Sequence, residues 1–328
     1  MCIKLSFCIP TYNRRKTLEE TLQSILSQIS LAKEEIEVIV CDNHSCDGTQ
    51  ARVIQLQKLY PFLRYHRSQK TVPCGDNLLK AVSLARGEYC WLMTDDDRVE
   101  PGGLEHVFAL LESYPQLTGL SVNVEGYDRE LKRKKKIHYS HHLQKLHLFT
   151  NAEEIFTSLG AWMGFWSAHI VRRVSWQKAS LREHHLQFTG YHHLSIMLEM
   201  AHKAPYWLFT EKKCVGYRAD HESFHQEYGR VKRFAIDVAA YTCVGKDLFS
   251  KRAIRAVNQV VIKKLLFWQL VRVKCEKHSW KMCSELLTLC YSYYRRYVAC
   301  WMLLIPLLFV PRWCMLCIQR WYRRWKNL

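Results

Sequence analysis

From Lys251 to its end the sequence holds only two acids, Glu276 and Glu285, against 16 lysines and arginines. That scarcity of negative charge excludes a balanced surface for the tail. A basic block of this kind seeks phosphate, on nucleic acid or on anionic lipid. Glycine is missing from the exit of the first strand-like run, which argues against a phosphate-cradling loop and so against a nucleotidyltransferase working on nucleoside triphosphates. The apolar run at 297–311 has fifteen residues, short of the ~20 a spanning helix needs. No long apolar core opens the chain: Arg14, Arg15 and Lys16 follow a short strand-like run, so a cytosolic, reduced protein without a signal peptide is expected. Cys314 and Cys317 form the only C-x-x-C among 14 cysteines, and no second pair completes a zinc site. Cys8, Cys41, Cys90, Cys290 and Cys300 lie in apolar runs, as small hydrophobes do. Internal repeats and low-complexity linkers are also lacking.

What is present is a chain of 328 residues, 48% hydrophobic and 12% aromatic, which can bury a sizeable core. The net charge of +18 is unevenly placed, because residues 1–100 carry 13 basic and 13 acidic side chains. Strand-like runs at 3–9, 37–41, 63–66 and 88–93 alternate with helical spacing at 18–26, from Asp47, at 77–84 and after Pro101. Such alternation predicts a parallel sheet with helices on both faces. Further strands are expected at 120–124, 168–171 and 214–217, with a helix at 191–202. Residues 129–136 are expected to form a solvated loop, and the chain beyond Arg230 to be helical.

In a sheet of this kind ligands bind beyond the carboxyl ends of the strands. Three polar stretches follow predicted strands directly: 10–14, 42–49 and 94–97. The last contains Asp95, Asp96 and Asp97, three carboxylates whose mutual repulsion calls for compensation. A divalent cation with oxygen ligands, Mg2+ or Mn2+, supplies it, and would neutralise a departing diphosphate. Tyr12 offers a ring on which a base can stack, with Asn13 and Arg14 placed for ribose or phosphate. Asp42 can accept a hydrogen bond from a base N–H.

These residues resemble a known family. Pro10-Thr11-Tyr12-Asn13-Arg14, then Asp42-Asn43 with Ser45, Asp47, Gly48 and Thr49, then Arg86-Gly87-Glu88-Tyr89 and the acidic triplet before Pro101, look like family 2 glycosyltransferases of the GT-A fold. The similarity is ordered over about residues 3–115, weakens to 230 and ends there. It implies a Rossmann-like, mostly parallel α/β catalytic domain over 1–229, divided into a nucleotide-sugar half, 1–115, and an acceptor half, 116–229. A basic, aromatic, membrane-associating helical region, 230–328, follows. It further implies inversion at the anomeric carbon, a nucleoside-diphosphate sugar donor, and Mg2+ or Mn2+. Tyr89-Cys90-Trp91 with Asp96-Asp97, and later Arg218, Asp220, Ser223 and Phe224, look closest to the abequosyltransferase-like members, which build bacterial O-antigen units on a lipid carrier. The implied partners are thus a nucleotide sugar and a lipid-linked saccharide of a surface glycan such as O-antigen, lipooligosaccharide or capsule.

The donor set implied is Pro10, Thr11, Tyr12, Asn13, Arg14, Asp42, Asn77, Asp95, Asp96 and Arg218. The family often has Asp-x-Asp-Asp before x-x-x-Pro. Aligned on Pro101, Thr94 stands where the first Asp would be, and Asp96 and Asp97 match the final pair. Asp97 or Asp96 is therefore the expected metal contact, with His221 completing the shell. An inverting transfer needs a base for the acceptor hydroxyl. Where the family has a carboxylate at a helix start, this chain has Gly190-Tyr191-His192-His193, so His193 or His192 is the candidate, with Asp220 and Glu222 as rivals.

In the tail, aliphatic residues interleaved with Lys263, Lys264, Arg272 and Lys274 read as amphipathic helix. The run at 297–311 and the Trp, Tyr and Arg residues after it suit an anionic headgroup layer, as a peripheral or monotopic anchor on the cytoplasmic face of the bacterial inner membrane. A buried helix is the alternative. A nucleic-acid-binding protein would also use the basic tail, but leaves the neutral first hundred residues unexplained, so no nucleic-acid partner is expected. An inactive transferase relative is a further reading.

Overall fold

The computed structural model describes residues 3–29, 35–135, 143, 145–179, 191–219, 240–241, 243–276 and 280–326. Its first part follows the expected alternation: β1 (Leu5–Thr11), α1 (Arg15–Leu26), β2 (Ile36–Asp42), α2 (Thr49–Leu59), β3 (Leu63–Arg67), α3 (Cys74–Ser83), β4 (Tyr89–Leu92), a two-residue β5 (Arg98–Val99), α4 (Gly103–Ser113) and β6 (Gly119–Tyr127). Then come β7 (Lys134–Lys135), β8 (His147–Phe149), α5 (Ala152–Leu159), β9 (His169–Arg172), α6 (Arg173–Lys178), α7 (His192–Lys203) and β10 (Trp207–Arg218).

All ten strands join one sheet, with the path β3-β2-β1-β4-β9-β6-β10-β5, β7 beside β6 and β8 beside β10. β1 pairs parallel with β2 and β4, β2 with β3, and β6 with β10. β9 runs antiparallel between β4 and β6. The sheet is therefore mixed, parallel in its long pairings. Sequence periodicity marks a strand but is the same in either direction, so the reversal of β9 was not legible. The basic run at 129–136 is likewise not all loop. Asp128 N–H donates to the Arg133 carbonyl (2.9 Å) and turns the chain so that Lys134 and Lys135 pair with β6.

β1, β2 and β4 are buried at every position, as strands covered on both faces must be. Trp91 stacks on Phe7 at 5.0 Å between ring centres, and its indole N–H donates to the Ser167 carbonyl (2.8 Å). The Arg86-Gly87 stretch explains itself here. Gly87 N–H donates to Ser6 Oγ (2.9 Å), and a Cβ on Gly87 would stand 2.5 Å from that oxygen. Ser6 Oγ, Arg86 N–H and Arg64 Nη1 all donate to the Glu37 carboxylate, at 2.7, 2.6 and 2.7 Å. Burial opposes the Glu37 charge, but these donors outweigh it and hold the carboxyl below its ordinary range.

The chain divides into two compact units, Met1–Ile155 with Trp162–Asp220, and Phe156–Ala161 with His221–Leu328. The second unit contains α8 (Lys251–Val260), a π-helical turn Val261–Leu266, α9 (Phe267–Glu276), α10 (Trp280–Tyr294), a π-helical turn Cys300–Leu304, α11 (Ile305–Phe309) and α12 (Arg312–Lys326). Among the described residues no single helix is long and apolar enough to cross a membrane. One pair, Cys300–Phe309 with Arg312–Arg320, meets that test only together and is bent by 118°.

Candidate functional site

Three strand exits converge, and side chains stitch them together. Beyond β1, Asn13 takes a positive φ of 51°, uncommon for a residue with a Cβ. Its N–H donates to Ser45 Oγ (2.8 Å) and its Oδ1 accepts from Cys46 N–H (2.8 Å), tying the β1 exit to the β2 exit. Asp47 joins both following helices: it accepts from Arg15 N–H at the start of α1 (2.8 Å) and from Thr49 N–H at the start of α2 (3.1 Å). Asn43 reaches the loop before α3, exchanging hydrogen bonds with Val72 (2.7 and 2.8 Å). Pro10 is buried in β1 opposite Cys41, so it shapes the exit from within the sheet. Tyr12 is 46% exposed, its ring open to a ligand.

The β1 and β4 exits meet at the acids. Thr11 Oγ1 donates to Asp95 Oδ2 (2.7 Å), and Arg14 Nη1 reaches Asp95 Oδ1 (2.5 Å) and Asp96 Oδ2 (3.4 Å). Burial disfavours the Arg14 charge, yet Asp95 and Asp96 outweigh it and raise the guanidinium pKa. Asp97 lies deepest. Its Oδ2 accepts from Thr94 Oγ1 and Ser167 Oγ (both 2.6 Å) and its Oδ1 from Arg218 N–H (3.0 Å). Burial, then the neighbouring Asp96 charge, push the Asp97 carboxyl up to about 7 despite those three donors. Burial also raises Asp95, with Arg14 opposing.

The triplet thus splits by environment. Asp95 and Asp97 are almost fully buried and engaged by neighbours. Asp96 is the most accessible of the three, 14% exposed at its side chain, with a long 3.4 Å approach from Arg14. Among the described residues no group of three His, Cys, Asp or Glu side chains is placed to hold a metal. A single reachable carboxylate fits the way Mg2+ binds, through one or two carboxylates completed by substrate phosphates. His221, the other expected ligand, lies outside the described residues, as does Asp220.

Arg218 is the last member of the donor set that the family resemblance implies. Its Nε donates to the Asp96 carbonyl (2.7 Å), its Nη1 to the Arg129 carbonyl (2.6 Å), and its Nη2 pairs with Glu20. At 4% exposure it braces the triplet from below. Thr94, Glu20 and Ser167 complete this brace, and sequence reasoning missed the last two. The three come from separate elements, and only the strand end at Thr94 carried any signal.

At the β2 exit Asp42 is fully buried. Its Oδ1 accepts from Ser45 N–H and Oγ (2.9 and 2.5 Å) and its Oδ2 from the Tyr65 hydroxyl (2.6 Å). Burial and the Asp42 charge hold the Tyr65 phenol protonated well above its ordinary range. Asn77 Nδ2 donates to the Cys41 carbonyl (2.8 Å), while its Oδ1 and Arg67 Nε are buried with no hydrogen-bond partner. Unsatisfied polar atoms at a strand exit fit a site built to be completed by a polar ligand.

The two histidines open α7, and both are buried. His192 Nδ1 lies 3.2 Å from Asp76 Oδ1, in the first turn of α3. His193 Nε2 is 3.2 Å from the Gly164 carbonyl, and its ring packs against Trp166 and Tyr191.

Residues 6–174 match the model of the family described as glycosyl transferase family 2. The chain is 30% identical over 269 residues to the abequosyltransferase RfbV of Salmonella typhimurium, covering 79% of this chain and 80% of that protein. In structure it resembles Staphylococcus aureus TarS 1–349 in complex with UDP-GlcNAc, with a TM-score of 0.64 at 14% identity over 90% of this chain and 82% of that one. It also resembles the mannosyltransferase PcManGT of Pyrobaculum calidifontis in complex with GDP-Man and Mn2+, with a TM-score of 0.58 at 16% identity over 94% and 84%. These likenesses confirm the expected GT-A architecture.

Proposed function

The chain belongs to glycosyl transferase family 2, and from that premise we propose that it transfers a sugar, with inversion, from a nucleoside-diphosphate sugar to a lipid-linked saccharide of a bacterial surface glycan. The reading places it at the cytoplasmic face of the inner membrane, where such an acceptor is presented. The observation that carries it is the accessible Asp96 carboxylate, set between two buried, braced acids where three strand exits meet.

The residues divide the work. Tyr12 stacks on the donor base, and Asp42, Asn77 and Arg67 recognise its polar edge. Asp95 and Arg14 border the ribose and diphosphate. Asp96 would hold Mg2+ or Mn2+ together with the donor diphosphate, supplying positive charge where the leaving group gains negative charge. Asp97 and Arg218 keep Asp96 in place. The candidate base is His192 in preference to His193. Asp76 Oδ1, 3.2 Å from its Nδ1, sets a carboxylate beside the imidazole, the kind of third group that orients a catalytic base. Asp220 is the second candidate.

Thermal denaturation with UDP- and GDP-sugars and Mn2+ tests the donor site. At a ligand concentration ~100 times Kd the stabilisation is about 2.7 kcal/mol, and Asp96→Ala is expected to remove its metal-dependent part. If no nucleoside diphosphate raises the melting temperature with either metal, the donor reading is wrong. His192→Ala is expected to lower kcat by roughly 10²–10⁴-fold while donor affinity is retained. An equal loss in His193→Ala alone would move the base assignment to that residue.

A further inference from the structure

The second compact unit carries a surface that transfer chemistry does not use. From residue 298 the backbone is helical through the π-helical turn Cys300–Leu304 and α11, and α12 then leaves at 118°. One side of this corner is buried through Cys300, Leu304, Leu307, Leu308 and Met315. The other side exposes Val298, Trp301, Met302 (71%), Phe309 and Trp313 (69%). Positions 298, 301, 302 and 309 are spaced as one helix face. Large apolar side chains bared in such a group mark a contact surface, unlike the scattered single ones that any protein shows.

The corner is held by charge. Lys274 of α9 is fully buried, and its ammonium donates to the carbonyls of Leu307, Leu308 and Val310 at 2.7, 2.6 and 2.7 Å. These are carbonyls that a helix end leaves without an intrahelical partner, and a cation there also meets the negative pole of the helix. Arg312 Nε donates back to the carbonyl of Cys275, the residue after Lys274 (3.0 Å). Pro311 prevents the first helix from continuing. Straightening 298–320 into one span would strip all three acceptors from a buried ammonium.

The corner is also shallow. Cys300–Phe309 is ten residues, about 15 Å of helix, half of the ~30 Å hydrocarbon core. Its charged rim has one sign: Arg295, Arg296, Arg312 and Arg320 are exposed around it, and no acid follows Glu285. Aromatic and aliphatic side chains ringed by arginine match the headgroup boundary of an anionic bilayer, where the rings sit at the interface and the guanidinium groups meet phosphate.

We propose that this lysine-capped corner is a one-leaflet docking element for anionic lipid, which inserts Trp301, Met302, Phe309 and Trp313 without crossing the bilayer. The inference deepens the lipid-linked acceptor reading and rests on it for its biological sense, but its test is independent of transfer. Full-length protein is floated with vesicles of phosphatidylcholine alone or mixed with phosphatidylglycerol, at low and high salt. Expected is binding to the anionic vesicles that weakens with salt, and a loss on the order of tenfold in the surface variant Met302→Ser/Phe309→Ser/Trp313→Ser. That variant should keep the wild-type melting temperature and its shift with nucleoside diphosphate and Mn2+. Lys274→Met is expected to lower vesicle binding as well, and the surface variant decides the matter if the lysine variant does not fold. Wild-type protein that stays in the aqueous phase at low salt would overturn the proposal, as would undiminished vesicle binding by the triple variant. So would binding lost entirely to competing duplex DNA, which would mark the patch as a nucleic-acid surface. A missing nucleotide shift with intact vesicle binding would refute the donor reading and leave this one standing.

Discussion

Asp95, Asp96 and Asp97 share one side chain and differ in what surrounds it. A buried carboxylate either collects donors or takes a proton. Asp95 collects Thr11 and Arg14, Asp97 collects Thr94, Ser167 and the Arg218 N–H, and Asp96 remains the accessible one. The triplet and its order before Pro101 were legible in the sequence. Which acid faces outward was not, because Ser167 and Arg218 lie about 70 and 120 positions further along the chain. His169 gives a prediction at the same scale. Burial holds its imidazole neutral down to about 4, against an ordinary value of 6.5, with Ser121 Oγ 3.0 Å from Nδ1. The unfolded chain therefore takes up a proton between these values while the folded one does not, so stability from this residue is present above pH 6.5 and is lost as pH falls toward 4. The loss amounts to roughly 3 kcal/mol. Urea unfolding at pH 7 and pH 4.5 should show a smaller drop in His169→Gln than in the wild type, and equal drops would refute the assignment.

At the scale of elements, the strands and helices of the first 115 residues are where periodicity places them, because burying both faces of a sheet imposes a run of apolar residues that composition cannot hide. Short or irregular pieces escaped: β5, β7, β8 and α5 are too brief or too polar to leave a period. The links between elements escaped too. Asp47 reads as a helix start for α2, yet its carboxylate also caps α1 across 32 positions. Thr49 and the Arg15 and Thr49 N–H groups overcome the cost of its partial burial and lower its pKa, so its contribution is present above the ordinary carboxylate range and is lost as pH falls below it. Asp47→Ala is expected to destabilise the protein by about 1–2 kcal/mol at pH 7, with Asp47→Asn milder. Denaturant midpoints measure both, and a neutral alanine variant would mean that solvent caps these helices equally well.

At the scale of the molecule, charge and packing separate along the same chain. The residues up to 100 are electrically neutral, and the last 78 hold 16 basic groups and two acids. Two compact units are present, and a chain of that kind departs from single two-state unfolding. Calorimetry is expected to resolve two transitions, only one of them raised by nucleoside diphosphate with Mn2+. A single cooperative peak that shifts as a whole would contradict this.

By itself the sequence determined the α/β alternation, the three polar strand exits, the family likeness and the basic tail, because each is written in neighbouring residues through period, turn chemistry or charge. Tertiary structure decided the rest. It reversed β9, buried Asp97 and Arg218 beneath Asp96, set Asp76 beside His192, and placed Lys274 under the helix corner at 305–312. Those outcomes depend on which distant side chains share a low-dielectric interior, where a polar group without its partner is too costly to keep.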